Sequence, residues 1–170
     1  MTDRSSLYIF GGLPGAGKST LSLGLARRIK ALHLRIDSIE QAIRNAGGTI
    51  AGPEGYAVGY ALAADNLCLG HVVIADSVNP LKITRDAWRN VAVTTHVSYV
   101  EIEVICSDKA EHRNRVESRS VDITGLKLPT WGGIAAREYE AWDREHIVLD
   151  TAGQTPDQSM AQLTEMLLRA

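Results

Sequence analysis

The sequence predicts a three-layer α/β/α sandwich built on five parallel strands. Three observations carry that prediction. Short β-type runs alternate with helical patterns along the chain. Several runs are apolar on successive residues, as strands covered on both faces are. The first run leads directly into a glycine-rich turn and then an amphipathic helix.

In order, Leu7-Tyr8-Ile9-Phe10 is a short apolar strand followed at once by glycines. From Lys18 to Ala31, Leu21, Leu25 and Ile29 recur at helical spacing, with Arg27, Arg28 and Lys30 elsewhere on the wheel. Leu32 to Ile36 reads as a second strand leading to Asp37, and Ser38 to Ala46 as a helix stopped by Gly47-Gly48. Gly47 to Gly55 is a loop by composition. Tyr56 to Leu69 is expected to be helical, with Gly70 beyond its end, and His71 to Ala75 to be a strand ending at Asp76. Arg85 to Thr95 reads as a helix, and Val97 to Cys106, rich in β-branched residues, as a buried strand. Lys109 to Arg119 is a charged helix, Ser120 to Pro129 a loop, and Thr130 to Arg144 a predicted helix. Ile147 to Leu149 and Pro156 to Arg169 supply the last strand and helix. Such alternation implies right-handed crossovers. Periodicity does not give strand order.

Composition narrows the function classes. With 170 residues, 45% hydrophobic and 22% charged, the chain has the length and apolar content of one globular domain, expected to span 1–170. Lys and Arg total 18 against 20 Asp and Glu, so the basic excess of proteins that grip long nucleic acids is absent. Cys68 and Cys106 suggest no disulfide framework and point to a reducing cytoplasm. Met1 to Ser6 is polar without a signal core, and no run approaches a membrane span. The five histidines lack ligand spacing and neither cysteine belongs to a C-x-x-C, which argues against zinc.

Gly12-Leu13-Pro14-Gly15-Ala16-Gly17-Lys18-Ser19 fits G-x-x-x-x-G-K-[ST] at every fixed position, between a strand and a helix as the motif requires. The glycines let successive N–H groups turn inward onto phosphate oxygens, and the helix N-terminus adds its positive dipole end. Lys18 reaches the β- and γ-phosphates, the Ser19 hydroxyl ligates Mg²⁺, and Thr20 is placed for an α-phosphate contact. The rival reading, a glycine turn that binds nothing, does not explain the complete motif. ATP and Mg²⁺ are the expected ligands.

Phosphoryl transfer also needs a group for the acceptor hydroxyl and cations for the moving charge. Asp37 and Asp76 fall at the C-terminal ends of predicted strands, where α/β sheets bind ligands. One belongs beside the acceptor, the other near Mg²⁺. Asp37 also fits a helix cap over Glu40, and Asp76 a plain strand-end turn. Arg44, seven residues after Asp37, reaches the same cleft or is a solvated helix arginine. Arg85 stands between acceptor binding and the same bland role. Arg115 and Arg119 share a helix face and could clamp phosphates, although Glu111 at i,i+4 from Arg115 favours a salt-bridged exposed helix. Trp131, Tyr139 and Trp142 read as packing rather than a base-stacking platform.

Taken together, the glycine-rich loop, Asp37 with Arg44, Asp76-Ser77-Val78-Asn79 and Cys106 to Arg119 resemble the small P-loop kinases, within the P-loop NTPase fold. The group resembled contains polynucleotide 5′-hydroxyl kinase domains, chloramphenicol phosphotransferase and gluconate kinase. Leu128-Pro129-Thr130-Trp131 and Arg137 to Asp143 are similar to a bacterial subgroup of predicted kinases or AAA-type ATP-binding proteins. The resemblance implies strand order 2-3-1-4-5, Asp37 as general base, Arg44 near the acceptor, and a lid at about 108–130 whose Arg115 and Arg119 face ATP phosphates. It implies adenine contacts at Thr151 and Gly153, and sets acceptor choice in the loop from Gly47 to Gly59, which matches no known substrate pattern. An AAA-type label would imply a remodelling ATPase, and the chain shows no second sensor region. The expected activity is ATP- and Mg²⁺-dependent transfer to a small-molecule hydroxyl. Polynucleotide kinase activity and a nucleotide-binding regulatory module or ATPase are the alternatives.

Overall fold

The computed structural model describes residues 5–169; most of the polar amino-terminal run lies outside the described residues. Chain order is β1 (Ser6–Gly11), α1 (Lys18–Ile29), β2 (Leu32–Arg35), α2 (Ile36–Asn45), α3 (Glu54–Cys68), β3 (Val73–Asp76), α4 (Lys82–Thr94), β4 (Ser98–Ile105), α5 (Lys109–Ser118), α6 (Trp131–Ala135), β5 (Ile147–Asp150) and α7 (Pro156–Arg169). The strands form one parallel sheet ordered β2-β3-β1-β4-β5, as the resemblance implies. Among the described residues no helix is long and apolar enough to cross a membrane.

Strand alternation builds a core on each face. Leu7 and Ile9 of β1 pack with Leu34, Val73 and Ala75 under α3 and α4, around the fully buried Trp88. Phe10, Ile74, Ile102, Val104 and Leu149 face the other way, onto Leu21 and Leu25 of α1 and Leu163 of α7. Each such aliphatic residue contributes about 1.5–3 kcal/mol of burial. Register then places the chemistry. Phe10 and Arg35 both pair with Asp76, so the ends of β1, β2 and β3 arrive level at one sheet edge.

Two elements depart from the sequence prediction. The helix expected over Thr130 to Arg144 stops at Ala135, and residues 136–146 continue as an irregular strap. Long-range bonds win over helical spacing there. The Glu140 N–H donates to Pro80 O (2.8 Å), the carbonyls of Glu140 and Ala141 accept from Arg85, and Arg144 pairs with Glu101 at 2.9 Å. Glu101 and Glu103 lie on the face of β4 opposite Ile102 and Val104, and the strap covers them with polar partners. The second departure is at α2, whose N-cap is Arg35. Asp37 therefore sits inside the first helical turn rather than capping over Glu40, where its charge still suits the helix dipole.

Candidate functional site

The loop between β1 and α1 is shaped by neighbours that leave no room for side chains. Gly12 has φ 138°, and a Cβ there would run into the Val104 carbonyl. Gly15 has φ 88°, with its open side against Val116 and His112. Gly12 also donates its N–H to Val78 O at 3.0 Å, tying the loop to the segment after β3. The first-turn N–H groups of α1, which lack intrahelical partners, face a cavity of about 750 Å³. Leu13, Pro14, Gly15, Gly17, Lys18, Ser19 and Thr20 line it. Gly12 and Ala16 do not: Ala16 is buried in the core, and its carbonyl accepts the Thr151 hydroxyl at 2.9 Å. Both residues hold the loop from behind.

Lys18 is buried and forms an ion pair with Asp76, which is 1% exposed at the end of β3. The Ser22 hydroxyl donates to the other Asp76 oxygen at 3.0 Å, and His33 stands 3.4 Å from it. Burial alone would push the Asp76 carboxyl up; Lys18 and His33 outweigh it and hold the group well below the usual carboxylate range. The Ser19 hydroxyl lies 3.4 Å from Lys18 Nζ. A cation, a carboxylate and a hydroxyl thus meet at the helix start. Among the described residues no cluster of three His, Cys, Asp or Glu could hold a metal unaided, so an ion at Ser19 and Asp76 would need phosphate oxygens.

Helix α5 is bolted to this loop. Asp108 caps it by accepting from the N–H groups of Ala110 (2.8 Å) and Glu111 (3.0 Å). His112 Nε2 donates to Pro14 O at 2.8 Å, and its ring packs edge-on against Trp131. Arg115 donates to the Thr151 hydroxyl (2.7 Å) and carbonyl (2.9 Å), and Glu111 accepts from Arg115 and from the Gly153 N–H (2.8 Å). Arg115, Arg119 and Thr151 line the nucleotide-sized cavity, whereas Gly153 does not.

A second cavity of about 1000 Å³ adjoins the first. Pro14, Asp37, Val78 and Arg119 line both. Arg44 lines the second and pairs with Glu40 at 3.2 Å. The segment 119–130 has neither helix nor strand; its Asp122 pairs with Arg35, while Gly125, Leu126 and Lys127 wall the second cavity.

The fold has counterparts among known proteins. The family model AAA_33, described as "AAA domain", matches residues 7–126. The chain belongs to that family. This AAA-domain chain is also 29% identical over 163 residues to uncharacterized protein Rv2004c of Mycobacterium tuberculosis (strain ATCC 25618 / H37Rv), covering 86% of the chain. It spans about a third (32%) of the length of the curated relatives it matches. Three solved structures share the fold. A putative kinase from Chloroflexus aurantiacus superposes with TM-score 0.71 at 18% identity, covering 97% of this chain and 98% of that one. The M. tuberculosis APS kinase CysC, in complex with AMPPNP and APS, gives 0.67 at 17%, covering 96% and 98%. Chaetomium thermophilum Kti12, in complex with ADP-AlF3, gives 0.68 at 22%, also covering 96% and 98%. The fold is that of the P-loop kinases.

One candidate acceptor residue of this AAA-domain protein is corrected by its structure. Arg85 does not face an acceptor: it is fully buried, donates to the carbonyls of Asn79 (3.1 Å), Glu140 (3.2 Å) and Ala141 (3.0 Å), and lies 4.9 Å over the Trp142 ring. It anchors the strap. Arg85→Ala is expected to destabilise the fold by about 3–5 kcal/mol, because a fully buried side chain is removed and one buried and two part-buried carbonyls lose their donor. AMPPNP affinity should stay near wild type. Urea titration checks the first, calorimetry the second. Arg35 and Glu111 line the first cavity and Tyr56 and Tyr60 the second, without standing out in the sequence. Only Glu111 carries a local signal, its i,i+4 spacing to Arg115.

Proposed function

We propose that this chain is an ATP- and Mg²⁺-dependent phosphotransferase acting on a hydroxyl of a small molecule. The observation that supports it most is Asp37 on the shared wall of two adjoining cavities. A nucleotide switch or bare ATPase needs only the first. Among the described residues no hydrogen bond occupies the Asp37 carboxylate, which leaves it open to a proton.

In this reading Lys18 and the N–H groups of the loop hold the phosphates, with Thr20 beside them. Ser19 and Asp76 would hold Mg²⁺, which would supply charge neutralisation at the phosphates. Lys18 leaves Asp76 for the nucleotide as that site fills. Asp37 takes the hydroxyl proton as the acceptor oxygen bonds the γ-phosphorus; the bond from that phosphorus to the ADP oxygen breaks, and ADP leaves. Arg119, common to both cavities, and Arg115 offset the charge, while Arg44 borders the acceptor. Thr151 and Gly153 brace the nucleotide wall. Residues 108–130 act as the lid, with 119–130 as its moving part because α5 is fixed to the loop. The sizes of both cavities and the near-neutral charge favour a small acceptor over a polynucleotide.

Incubation with γ-labelled ATP and a pool of hydroxyl metabolites tests the reading. Label is expected on an organic acceptor, dependent on a divalent ion. Label appearing only as inorganic phosphate, at a rate no acceptor changes, would sink it.

A further inference from the structure

The second cavity has a chemical character that the loop sequence from Gly47 to Gly59 does not express. Its wall is apolar because its tyrosines use their hydroxyls elsewhere. Tyr60 donates its hydroxyl to Thr84 O (3.2 Å), and the Tyr56 hydroxyl accepts from the Asn79 N–H (3.2 Å). Burial pushes both phenols up, so neither supplies a charge. What they offer a ligand is ring surface. Leu81 and Ile83 continue that wall, and Ile83 is 73% exposed, an apolar side chain left open to solvent at the cavity.

The remaining neutral polar side chains are also engaged. The Gln41 amide donates to Asn45 at 2.9 Å, and the Thr84 hydroxyl to Leu81 O at 2.7 Å. Recognition of a polyol needs side-chain amides and hydroxyls free to match its hydroxyls. Here each already spends a hydrogen bond inside the protein, which leaves few groups to match several hydroxyls. The charged lining, by contrast, is unbalanced: four basic residues (Arg44, Arg119, Lys127, Arg137) face two acidic ones (Asp37, Glu40). Glu40 neutralises Arg44. With Asp37 on the hydroxyl and Arg119 on the nucleotide side, Lys127 and Arg137 remain, exposed and without an acidic partner among the described residues. Two free cations beside an apolar wall, in a chain of net charge -2, match an anion carried on an apolar body.

Resting on the phosphotransferase reading above, we infer that the acceptor is a hydroxyl compound with an apolar body and an anionic group, carboxylate or phosphate. Its body lies against Tyr56, Tyr60, Leu81 and Ile83, and Lys127 and Arg137 recognise the anion. The specificity-determining pair is thus split between the 119–130 segment and the strap that Arg85 anchors. Neutral sugars and polyols find few matching partners on the same wall.

The test reads binding, without turnover. Anilinonaphthalene sulfonate serves as the fluorescent probe of the full chain, with AMPPNP and Mg²⁺ saturating the first cavity. The probe is expected to bind and to be displaced by para-hydroxymethyl benzoate or by benzyl phosphate, whichever is tighter naming the anion. The matched para-hydroxymethyl benzamide should compete about tenfold more weakly, and gluconate, an anion on a polar body, not at all. A Lys127→Gln/Arg137→Gln double variant should lose about tenfold in benzoate affinity, with benzamide affinity, AMPPNP affinity and Tm unchanged. Both side chains are exposed, so the fold is not at stake. Equal competition by the benzamide, an unaffected double variant, displacement by gluconate, or no probe binding at all would each overturn the inference. If this binding pattern holds while labelled ATP yields no phosphorylated acceptor, the phosphotransferase reading falls and the cavity chemistry stands.

Discussion

Lys18→Met is expected to lower ATP affinity by about a hundredfold or more and, separately, to reverse the pH dependence of stability. The first effect is the loss of a charge-assisted contact to the phosphates. The second comes from Asp76. In the native protein burial opposes its ionisation, but Lys18 and His33 hold its pKa down. A depressed carboxylate stabilises the fold above its unfolded pKa of about 3.9, and that contribution is lost as pH falls through the folded value. With Lys18 gone, burial, the largest single influence on the group, is opposed only by His33 and Ser22, and the folded pKa is expected to rise above the unfolded one. Stability then peaks in acid and declines as pH rises past about 4. Removing one partner of a buried ion pair costs about 3–5 kcal/mol at neutral pH. Urea titrations of both proteins from about pH 4 to about pH 8 should therefore diverge, the variant weakening toward the alkaline end. Parallel curves would show that Asp76 does not depend on Lys18. Unchanged ATP affinity would remove the phosphate-cradle reading altogether.

Asp37→Asn should reduce phosphoryl transfer by about 10²–10⁴-fold, because an amide keeps its place on the wall but takes no proton. AMPPNP affinity should change little, since the loop holding the phosphates does not pass through Asp37. The substitution removes one negative charge from the first turn of α2, and the dipole interaction it forfeits is about 0.3–1 kcal/mol. Folding should therefore survive. Single-turnover measurements separate the outcomes. A transfer rate within severalfold of wild type would exclude Asp37 as the base and leave Arg119 and the loop carrying the chemistry by charge alone.

These two residues differ in how far the chain announces them. Lys18 is legible because its partners in the motif are sequence neighbours: strand, glycines and helix start occupy one unbroken stretch. Asp37 is legible as a strand-end acid, but its helical position is not, because α2 begins directly on β2 with no intervening cap side chain. Arg85 misleads for the opposite reason. Its spacing from Asp76 suggests a cleft, whereas its partners, Glu140 and Ala141, lie 55 and 56 residues away. The same contacts end the predicted helix after Ala135. Helical spacing in residues 136–144 is real, yet the backbone and side-chain groups are claimed by Pro80, Arg85 and Glu101 instead. Local pattern loses wherever buried long-range partners are stronger.

Alternation and the uninterrupted phosphate-loop motif therefore determine the layered fold and the nucleotide cradle, since each depends on residues close in sequence. Strand order follows from sequence only through resemblance, because backbone hydrogen bonds can join any two strands and the packing of the layers, not spacing along the chain, decides which become neighbours. The acceptor cavity is decided by tertiary structure alone. Its tyrosines come from α3, its apolar rim from the start of α4, and its two free cations from the 119–130 segment and the strap. No local pattern records which hydroxyls are already bonded inside the protein, nor that Glu40 is taken by Arg44 while Lys127 and Arg137 have no acidic partner among the described residues.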